Sequence, residues 1–150
     1  MPPPKSVLFA CQLNSVRSPI AAALLGQMFG KSVRTGSAGV QEGELDPFAV
    51  AVMEEDGFDL SRHKPRTFEE LEDLEDGLHY DLIVTLSPGA HHRALDLARG
   101  TDIQVEYWPT PDATGIEGNR EQRLDAYRAV RDHLLARIKE RFGSESSGNE

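Results

Sequence analysis

The sequence predicts an α/β domain in which strands alternate with helices and form a parallel sheet. Residues 7–10 are continuously apolar, as is typical of a strand that is buried on both faces, and residues 82–86 are predicted to be a further strand. A helix-forming segment follows each of them, and this strand–helix–strand order indicates a parallel sheet. With 150 residues, the chain is most simply one domain over residues 1–143. The small polar segment 144–150 is predicted to be a disordered tail.

The composition is that of an ordinary globular protein, with 39% hydrophobic and 27% charged residues. The formal net charge of −9 argues against nucleic acid or an anionic membrane as a partner, because both reward an excess of lysine and arginine. The single cysteine excludes an internal disulfide and a cysteine-rich zinc site, and it fits a reducing compartment. The first apolar run is too short for a signal peptide or a membrane span, so we expect a cytoplasmic protein.

The first half of the chain predicts a strand–helix–strand unit and a second helix. The first helix covers residues 20–29, where alanine and leucine favour helix, and it ends near Gly30. The second strand follows at residues 33–38. Asp46 is the expected N-cap of the second helix, which continues to residue 56.

Two charged segments follow in the middle of the chain. Residues 61–67 form the most basic stretch, which includes His63, and a solvated loop is favoured there over a contact with an anionic substrate. Residues 68–77 are rich in Asp and Glu and are interpreted as a solvated helix face, with Leu71 and Leu74 turned inward. A calcium site is disfavoured, because the run lacks the alternating ligands and the glycine of calcium loops.

The last part of the chain supplies two further helices and the fourth strand. A helix over residues 87–99 follows the third strand. On it, His91 and His92 are neighbours that point in different directions, so surface positions are predicted for them and joint metal ligation is not. The fourth strand covers residues 103–107. In the final helix, 120–142, apolar side chains recur at helical spacing, namely Leu124, Tyr127, Val130, Leu134 and Ile138.

The loop between the first strand and the first helix carries the strongest chemical signal. Cys11 ends the strand, and Arg17, Ser18 and Pro19 stand at the mouth of the helix. Unpaired N–H groups and the helix dipole favour an anion there, phosphate above all, and the same field favours thiolate over thiol. The Arg17 guanidinium can bind two oxygens of a tetrahedral oxyanion. A small buried cysteine is the competing interpretation, but this context favours a nucleophile.

A second loop is predicted to supply a proton donor. The carboxyl ends of parallel strands share one edge of the sheet, so residues 108–115 should emerge beside the Cys11 loop. Asp112 could protonate a departing alkoxide or phenoxide and then activate water, and partial burial near phosphate would raise its pKa. The alternative is that Asp112 only caps a turn. Trp108 is predicted to pack beneath the loop and not to bind substrate.

These motifs resemble the low-molecular-weight protein tyrosine phosphatases. The similarity rests on Cys11-x5-Arg17-Ser18 after the first strand, Ser-Ala-Gly at residues 37–39 and an Asp in a proline-rich loop, and it covers about residues 6–142. It implies a three-layer sandwich, with a four-stranded parallel sheet and helices on both faces. It also implies a phosphocysteine intermediate, with no metal and no other cofactor.

The resemblance assigns roles to individual residues. Cys11 would be the nucleophile, Arg17 the phosphate clamp and Asp112 the general acid, while Asn14 would hold the strained loop and the Ser18 hydroxyl would stabilise the thiolate. Main-chain amides of the loop would surround the phosphoryl oxygens. The predicted phosphate-binding residues are Gln12, Leu13, Asn14, Ser15, Val16, Arg17 and Ser18.

Two positions depart from the family pattern. Val16 stands where family members commonly have a second cysteine, so a protective internal disulfide is impossible. Residues 113–115 read Ala-Thr-Gly where familiar members have Pro-Tyr after the Asp, so this stretch lacks an aromatic wall for a phenyl ring.

Three functions therefore compete. The leading hypothesis is a cysteine-dependent phosphatase acting on phosphotyrosine or similar esters, whose partner is a phosphorylated protein or a small phosphate ester. Residues 14–18 are also similar to thioredoxin-coupled arsenate reductases, which need additional cysteines, so reduction here would require an external thiol. The third possibility is a non-catalytic module that binds phosphate or another oxyanion in the loop.

Overall fold

Strands and helices alternate along the described residues, 3–74 and 78–143, of this computed structural model. In chain order the elements are β1 (Ser6–Cys11), α1 (Arg17–Phe29), β2 (Arg34–Gly39), α2 (Pro47–Glu55), α3 (Phe68–Glu72), β3 (Leu82–Thr85), α4 (Pro88–Ala98), β4 (Gln104–Tyr107), α5 (Arg120–Ile138) and a π-helical turn (Lys139–Gly143). The predicted tail, 144–150, and the end of the predicted acidic helix, 75–77, lie outside the described residues. Within the two described ranges, no helix is long and apolar enough to cross a membrane.

The four strands form one parallel sheet in the order β2-β1-β3-β4. All six residues of β1 are buried, which agrees with the continuous apolar run that predicted it. Ala10 of β1 pairs with Ala38 on one side and with Thr85 on the other. The carboxyl end of β1 therefore lies between those of its two neighbours, and the loop that follows it opens in the middle of this edge.

Helices cover both faces of the sheet, so the predicted three-layer sandwich is confirmed. On one face, Phe9 and Val84 belong to the core that also contains side chains of α1, α2 and α5. On the other face, Leu8 and Ile83 pack with side chains of α3 and α4. Successive residues of a strand point to opposite faces, so the two central strands, β1 and β3, contribute to both cores.

Asp46 ties three parts of the fold together close to the Cys11 loop. Its Oδ1 accepts a hydrogen bond of 2.8 Å from the Phe48 N–H, which confirms the predicted N-cap of α2. Its Oδ2 accepts a hydrogen bond of 2.6 Å from the hydroxyl of Tyr127 on α5. Its own N–H donates to the Ser15 carbonyl at 3.3 Å. One residue thus joins α2, α5 and the loop.

The predicted acidic helix is shorter in the structure. Thr67 caps it, Leu71 is buried as predicted, and the helix ends at Glu72. The expectation that Leu74 turns inward is wrong, since 56% of its surface is exposed. Leu74 lies beyond the helix end and so leaves the face that buries Leu71.

Candidate active site

A small pocket opens where β1 meets α1. Its volume is about 90 Å³, and two loops of the chain contribute to its walls. The residues that line it are Cys11, Gln12, Leu13, Ser15, Val16, Arg17, Asp112 and Thr114. The structure therefore brings Cys11, Arg17 and Asp112 to one place. Asn14 and Ser18, also predicted for the site, are both fully buried and do not line the pocket.

The Cys11 sulfur is directed toward the start of α1. It lies 3.0 Å from the Ser18 hydroxyl oxygen and 3.5 Å from the Ser18 main-chain nitrogen. The hydroxyl already accepts a hydrogen bond from the Asn14 amide at 2.8 Å, so its own proton is left for the sulfur or for the Ala38 carbonyl at 3.4 Å. The sulfur is the nearer acceptor. Ser18 therefore places two hydrogen-bond donors beside the sulfur.

Asn14 holds the loop in an unusual shape. Its φ of 56° lies in the left-handed region, which asparagine tolerates better than most residues. Its side-chain oxygen accepts hydrogen bonds from the Arg66 N–H at 3.0 Å and from the His63 Nε2 at 3.1 Å. Its side-chain amide donates to Ser18. The buried side chain thus connects segment 61–67 to the hydroxyl beside the sulfur.

His63 and Arg66 are the functional neighbours that the sequence analysis missed. It favoured a solvated loop for this basic segment, whereas both residues are half-buried and bind Asn14. The His63 Nε2 also lies 3.3 Å from the Asn14 carbonyl oxygen. The Asn14 side-chain nitrogen donates to Ser18, so the atom that faces Nε2 is the side-chain oxygen. This oxygen and the Asn14 carbonyl oxygen are both acceptors, so Nε2 carries a proton. The cluster of basic residues was the signal available in the sequence.

Gly39 allows the loop to lie against the end of β2. A Cβ atom at this position would lie 2.8 Å from both the Asn14 nitrogen and the Leu13 carbonyl carbon, so any larger residue would displace the loop. The Gln12 carbonyl accepts hydrogen bonds from Val40 at 2.9 Å and from residue 41 at 3.0 Å. The Gln12 carbonyl therefore points toward the end of β2. No described residue accepts a hydrogen bond from the N–H groups of residues 13–17, which leaves these donors for an anion.

Arg17 is the first residue of α1 and spans the two loops. Its Nη1 donates to the carbonyl oxygen of Thr110 at 3.2 Å. This hydrogen bond ties the guanidinium to the segment that carries Asp112, and the remaining N–H groups stay available for oxyanion oxygens.

Asp112 is exposed at the rim, and its carboxylate makes a local turn. Its Oδ1 accepts hydrogen bonds from the main-chain N–H of Thr114 at 2.9 Å and from the Thr114 hydroxyl at 2.7 Å. Desolvation raises the pKa of Asp112, but the two bonds from Thr114 and the charge of Arg17 outweigh it and lower the pKa below the usual 3.8. Thr114 and Arg17 thus stabilise the carboxylate and oppose the rise in pKa that is expected when phosphate is bound. Both interpretations of Asp112 describe part of its surroundings: it caps a turn and it lines the pocket.

Trp108 packs beneath the second loop, as predicted. It is 3% exposed and meets Phe9 edge to face, with ring centroids 5.9 Å apart. Its indole N–H donates to the Glu106 carboxylate at 3.1 Å.

The prediction of a surface position fails for His91. The Nδ1 of His91 lies 3.0 Å from the hydroxyl of Thr85, and its ring stacks on Tyr107 at 4.8 Å. His91 is therefore half-buried against the ends of β3 and β4, whereas His92 is exposed.

We expect a loss of stability at mildly acidic pH that depends on His63. Desolvation lowers the pKa of His63 below its usual 6.5, the hydrogen bond to Asn14 raises it and the charge of Arg66 lowers it further. Because the folded pKa lies below the unfolded value, the His63 contribution is fully present above about pH 6.5 and is lost as pH falls through the folded pKa. The midpoint temperature of thermal unfolding should therefore decrease as the pH is lowered from about 7.5 to about 5. The His63→Gln variant should show a weaker dependence of this temperature on pH.

The exposed His92 provides the matched control for this measurement. His92→Gln should leave the pH profile of the wild type unchanged, because this side chain is exposed. An identical profile for His63→Gln and the wild type would show that His63 does not cause the loss.

The geometry agrees with the comparisons to known proteins. The family model described as "Low molecular weight phosphotyrosine protein phosphatase" matches residues 6–142. Among curated relatives, arsenate reductase of Bacillus subtilis is 29% identical over 136 residues, covering 91% of this chain and 94% of the relative. Arsenate reductase of Halalkalibacterium halodurans is 32% identical over 137 residues, covering 90% and 93%.

Two solved tyrosine phosphatases have the same fold. AmsI of Erwinia amylovora superimposes with a TM-score of 0.74 at 20% identity, covering 94% of this chain and 93% of the other. Wzb of Escherichia coli K30, solved in complex with sulphate, gives a TM-score of 0.72 at 22% identity, covering 91% and 94%. The sheet order and the loop after β1 thus belong to a fold that these named phosphatases share.

Proposed function

Because the chain belongs to the low molecular weight phosphotyrosine protein phosphatase family, we propose that it hydrolyses phosphate monoesters through a phosphocysteine on Cys11. The observation that carries this proposal is the pocket of about 90 Å³ that unites a thiol, a guanidinium and a carboxylate. The proposed substrate is a phosphotyrosine or a similar ester, on a phosphorylated protein or a small molecule.

In the first step, the Cys11 thiolate attacks phosphorus. The P–S bond forms as the P–O bond to the leaving group breaks, and charge gathers on the phosphoryl oxygens. Arg17 and the N–H groups of residues 13–17 stabilise that charge, since no described residue accepts a hydrogen bond from those main-chain groups and Arg17 lines the same pocket. The Ser18 hydroxyl, 3.0 Å from the sulfur, stabilises the thiolate before attack.

Asp112 is proposed as the group that handles the proton in both steps. The carboxylic acid protonates the departing oxygen, and the resulting carboxylate then takes a proton from the water that attacks phosphorus. Phosphate leaves, the thiolate returns and Asp112 is protonated again. A phosphate dianion in the pocket disfavours the ionised carboxyl and so raises the pKa of Asp112, which opposes the effect of Thr114.

Arsenate reduction is the second candidate, and the names of the curated relatives favour it. Arsenate has the tetrahedral oxyanion shape that the loop suits, and Cys11 would displace one oxygen as water to form an S–As bond. An external thiol would then attack the Cys11 sulfur, giving a mixed disulfide while arsenic leaves as arsenite with the electron pair. A second external thiol would reduce the mixed disulfide. Both thiols must come from outside, because Cys11 is the only cysteine in the sequence.

Parallel assays of the wild type separate the candidate functions. One assay follows hydrolysis of an aryl phosphate without added thiol, and the other follows arsenite formation from arsenate with a small thiol or a redoxin. We expect aryl phosphate hydrolysis, because it needs no co-reactant other than water, whereas arsenate reduction needs external thiols. Arsenite formation without hydrolysis would establish the reductase instead, and oxyanion binding with neither reaction would establish a binding module.

A further inference from the structure

A second groove, larger than the pocket at Cys11, lies at the free edge of the sheet. Its volume is about 420 Å³. Its walls are one face of α1, residues 35–37 of the edge strand β2, and the basic segment between Leu60 and Arg66. Three permanent cations line it, Arg62, Lys64 and Arg66, together with His63.

Carboxylates offset the positive charge in this groove only in part. Neither Asp nor Glu lines it, and Arg62, Lys64 and Arg66 form no ion pair with the described residues. Asp59 interacts electrostatically with Arg62 but forms no ion pair with it, and its Oδ1 accepts hydrogen bonds from Ser61.

Several arginines elsewhere in the chain form ion pairs, unlike the three cations of the groove. Arg128 and Arg131 both bind Glu55, and Arg93 binds Glu72. Three cations that form no ion pair with the described residues lie together in one groove of a chain with net charge −9, and they produce a local field that attracts anions.

The other walls of the groove suit a phosphate-class ligand. The side chains on α1 are small, at Pro19, Ala22 and Ala23, and leave room for a ligand. Thr35 and Ser37 add hydroxyl groups that can donate to oxyanion oxygens. Arg66 is fixed in place, because its Nε donates to the Ser37 carbonyl at 3.0 Å.

We propose that this groove is a second oxyanion site, which binds a phosphate-class polyanion. The bound polyanion would stabilise the Cys11 loop through segment 61–67. The coupling runs through segment 61–67, since this segment lines the groove and also holds Asn14. The Arg66 N–H and the His63 Nε2 both donate to the Asn14 side chain. These hydrogen bonds hold Asn14 in its left-handed main-chain conformation. A ligand that fixes the segment therefore also fixes the loop. The inference goes beyond the proposed reaction and does not depend on it.

Calorimetry with inorganic pyrophosphate tests the site, using Arg17→Ala to weaken binding at the Cys11 pocket. The Arg17→Ala protein should still bind pyrophosphate at one site at low salt. Adding Arg62→Ala and Lys64→Ala should weaken it at least tenfold, because two exposed cations are lost and neither side chain makes a described hydrogen bond. The matched control is Arg99→Ala with Lys139→Ala, which removes the same charge away from the groove and should leave the affinity within about twofold.

Hydrogen exchange tests the coupling in the same variants. Pyrophosphate should slow exchange at residues 12–16 of the Arg17→Ala protein, and this protection should disappear in the Arg62→Ala, Lys64→Ala background. Absence of binding to Arg17→Ala, or binding equally weakened by the control pair, would overturn the site. Binding without protection of residues 12–16 would overturn the coupling. None of these results depends on whether the protein is a phosphatase or a reductase.

Discussion

Cys11→Ser is expected to abolish hydrolysis of an aryl phosphate while phosphate binding persists. A serine hydroxyl at this position is not ionised near neutral pH, so attack on phosphorus should slow by about 10⁴-fold or more. Arg17 and the N–H groups of the loop are unchanged by the substitution, so calorimetry should still detect phosphate. The assay compares initial rates of the wild type, Cys11→Ser and Cys11→Ala, the last of which lacks any nucleophile.

Trapping the intermediate sharpens this test. Rapid acid quenching followed by peptide mass spectrometry should find a phosphorylated peptide that contains Cys11 in the wild type, and none in either variant. Substantial turnover by Cys11→Ala would mean that water attacks the ester directly, and the covalent mechanism would then be wrong.

Asp112→Ala is expected to lower the hydrolysis rate by about two to four orders of magnitude, as the loss of a general acid does. The loss should depend on the leaving group. A nitrophenolate leaves readily without a proton, whereas a simple alkoxide does not, so alkyl phosphates should suffer more than nitrophenyl phosphate. Asp112→Asn is the matched variant, because it keeps the size of the side chain and an oxygen that can accept from Thr114. Equal losses for both leaving groups would argue that Asp112 is only a structural cap.

Thr114 offers a finer probe of the same carboxyl. The Thr114→Val variant keeps the main-chain donor but loses the hydroxyl that lies 2.7 Å from the Asp112 oxygen. Since that bond lowers the pKa of Asp112, its removal should raise the pKa. The high-pH limb of the rate profile, where the acid loses its proton, should then move to higher pH while Asp112→Asn lacks this limb.

The sequence predicted those features that depend on neighbours in the chain. The apolar run of β1, the Asp46 cap and the spacing from Cys11 to Arg17 are local patterns, and the structure contains each of them. Asp112 is distant in sequence, but the rule that parallel strands end at one edge was enough to place it near Cys11.

Contacts between distant segments were beyond this reasoning. Asn14 meets His63 and Arg66 across 49 and 52 residues, and no local pattern specifies which side chains of a basic loop turn inward. The hydrogen bonds from Thr114 to the Asp112 carboxylate also depend on a turn geometry that the composition does not reveal. Leu74 was misplaced because the sequence pattern did not reveal that the helix ends at Glu72.

The isolation of the Cys11 sulfur also determines how the molecule responds to peroxide. Its hydrogen-bonding neighbour is a hydroxyl, and the sequence contains no other thiol. A sulfenic acid formed there has no second thiol within the chain with which to form a disulfide, and further oxidation to the sulfinic acid is effectively permanent. Reduction of the sulfenic acid through a disulfide therefore requires a thiol from the surrounding solution.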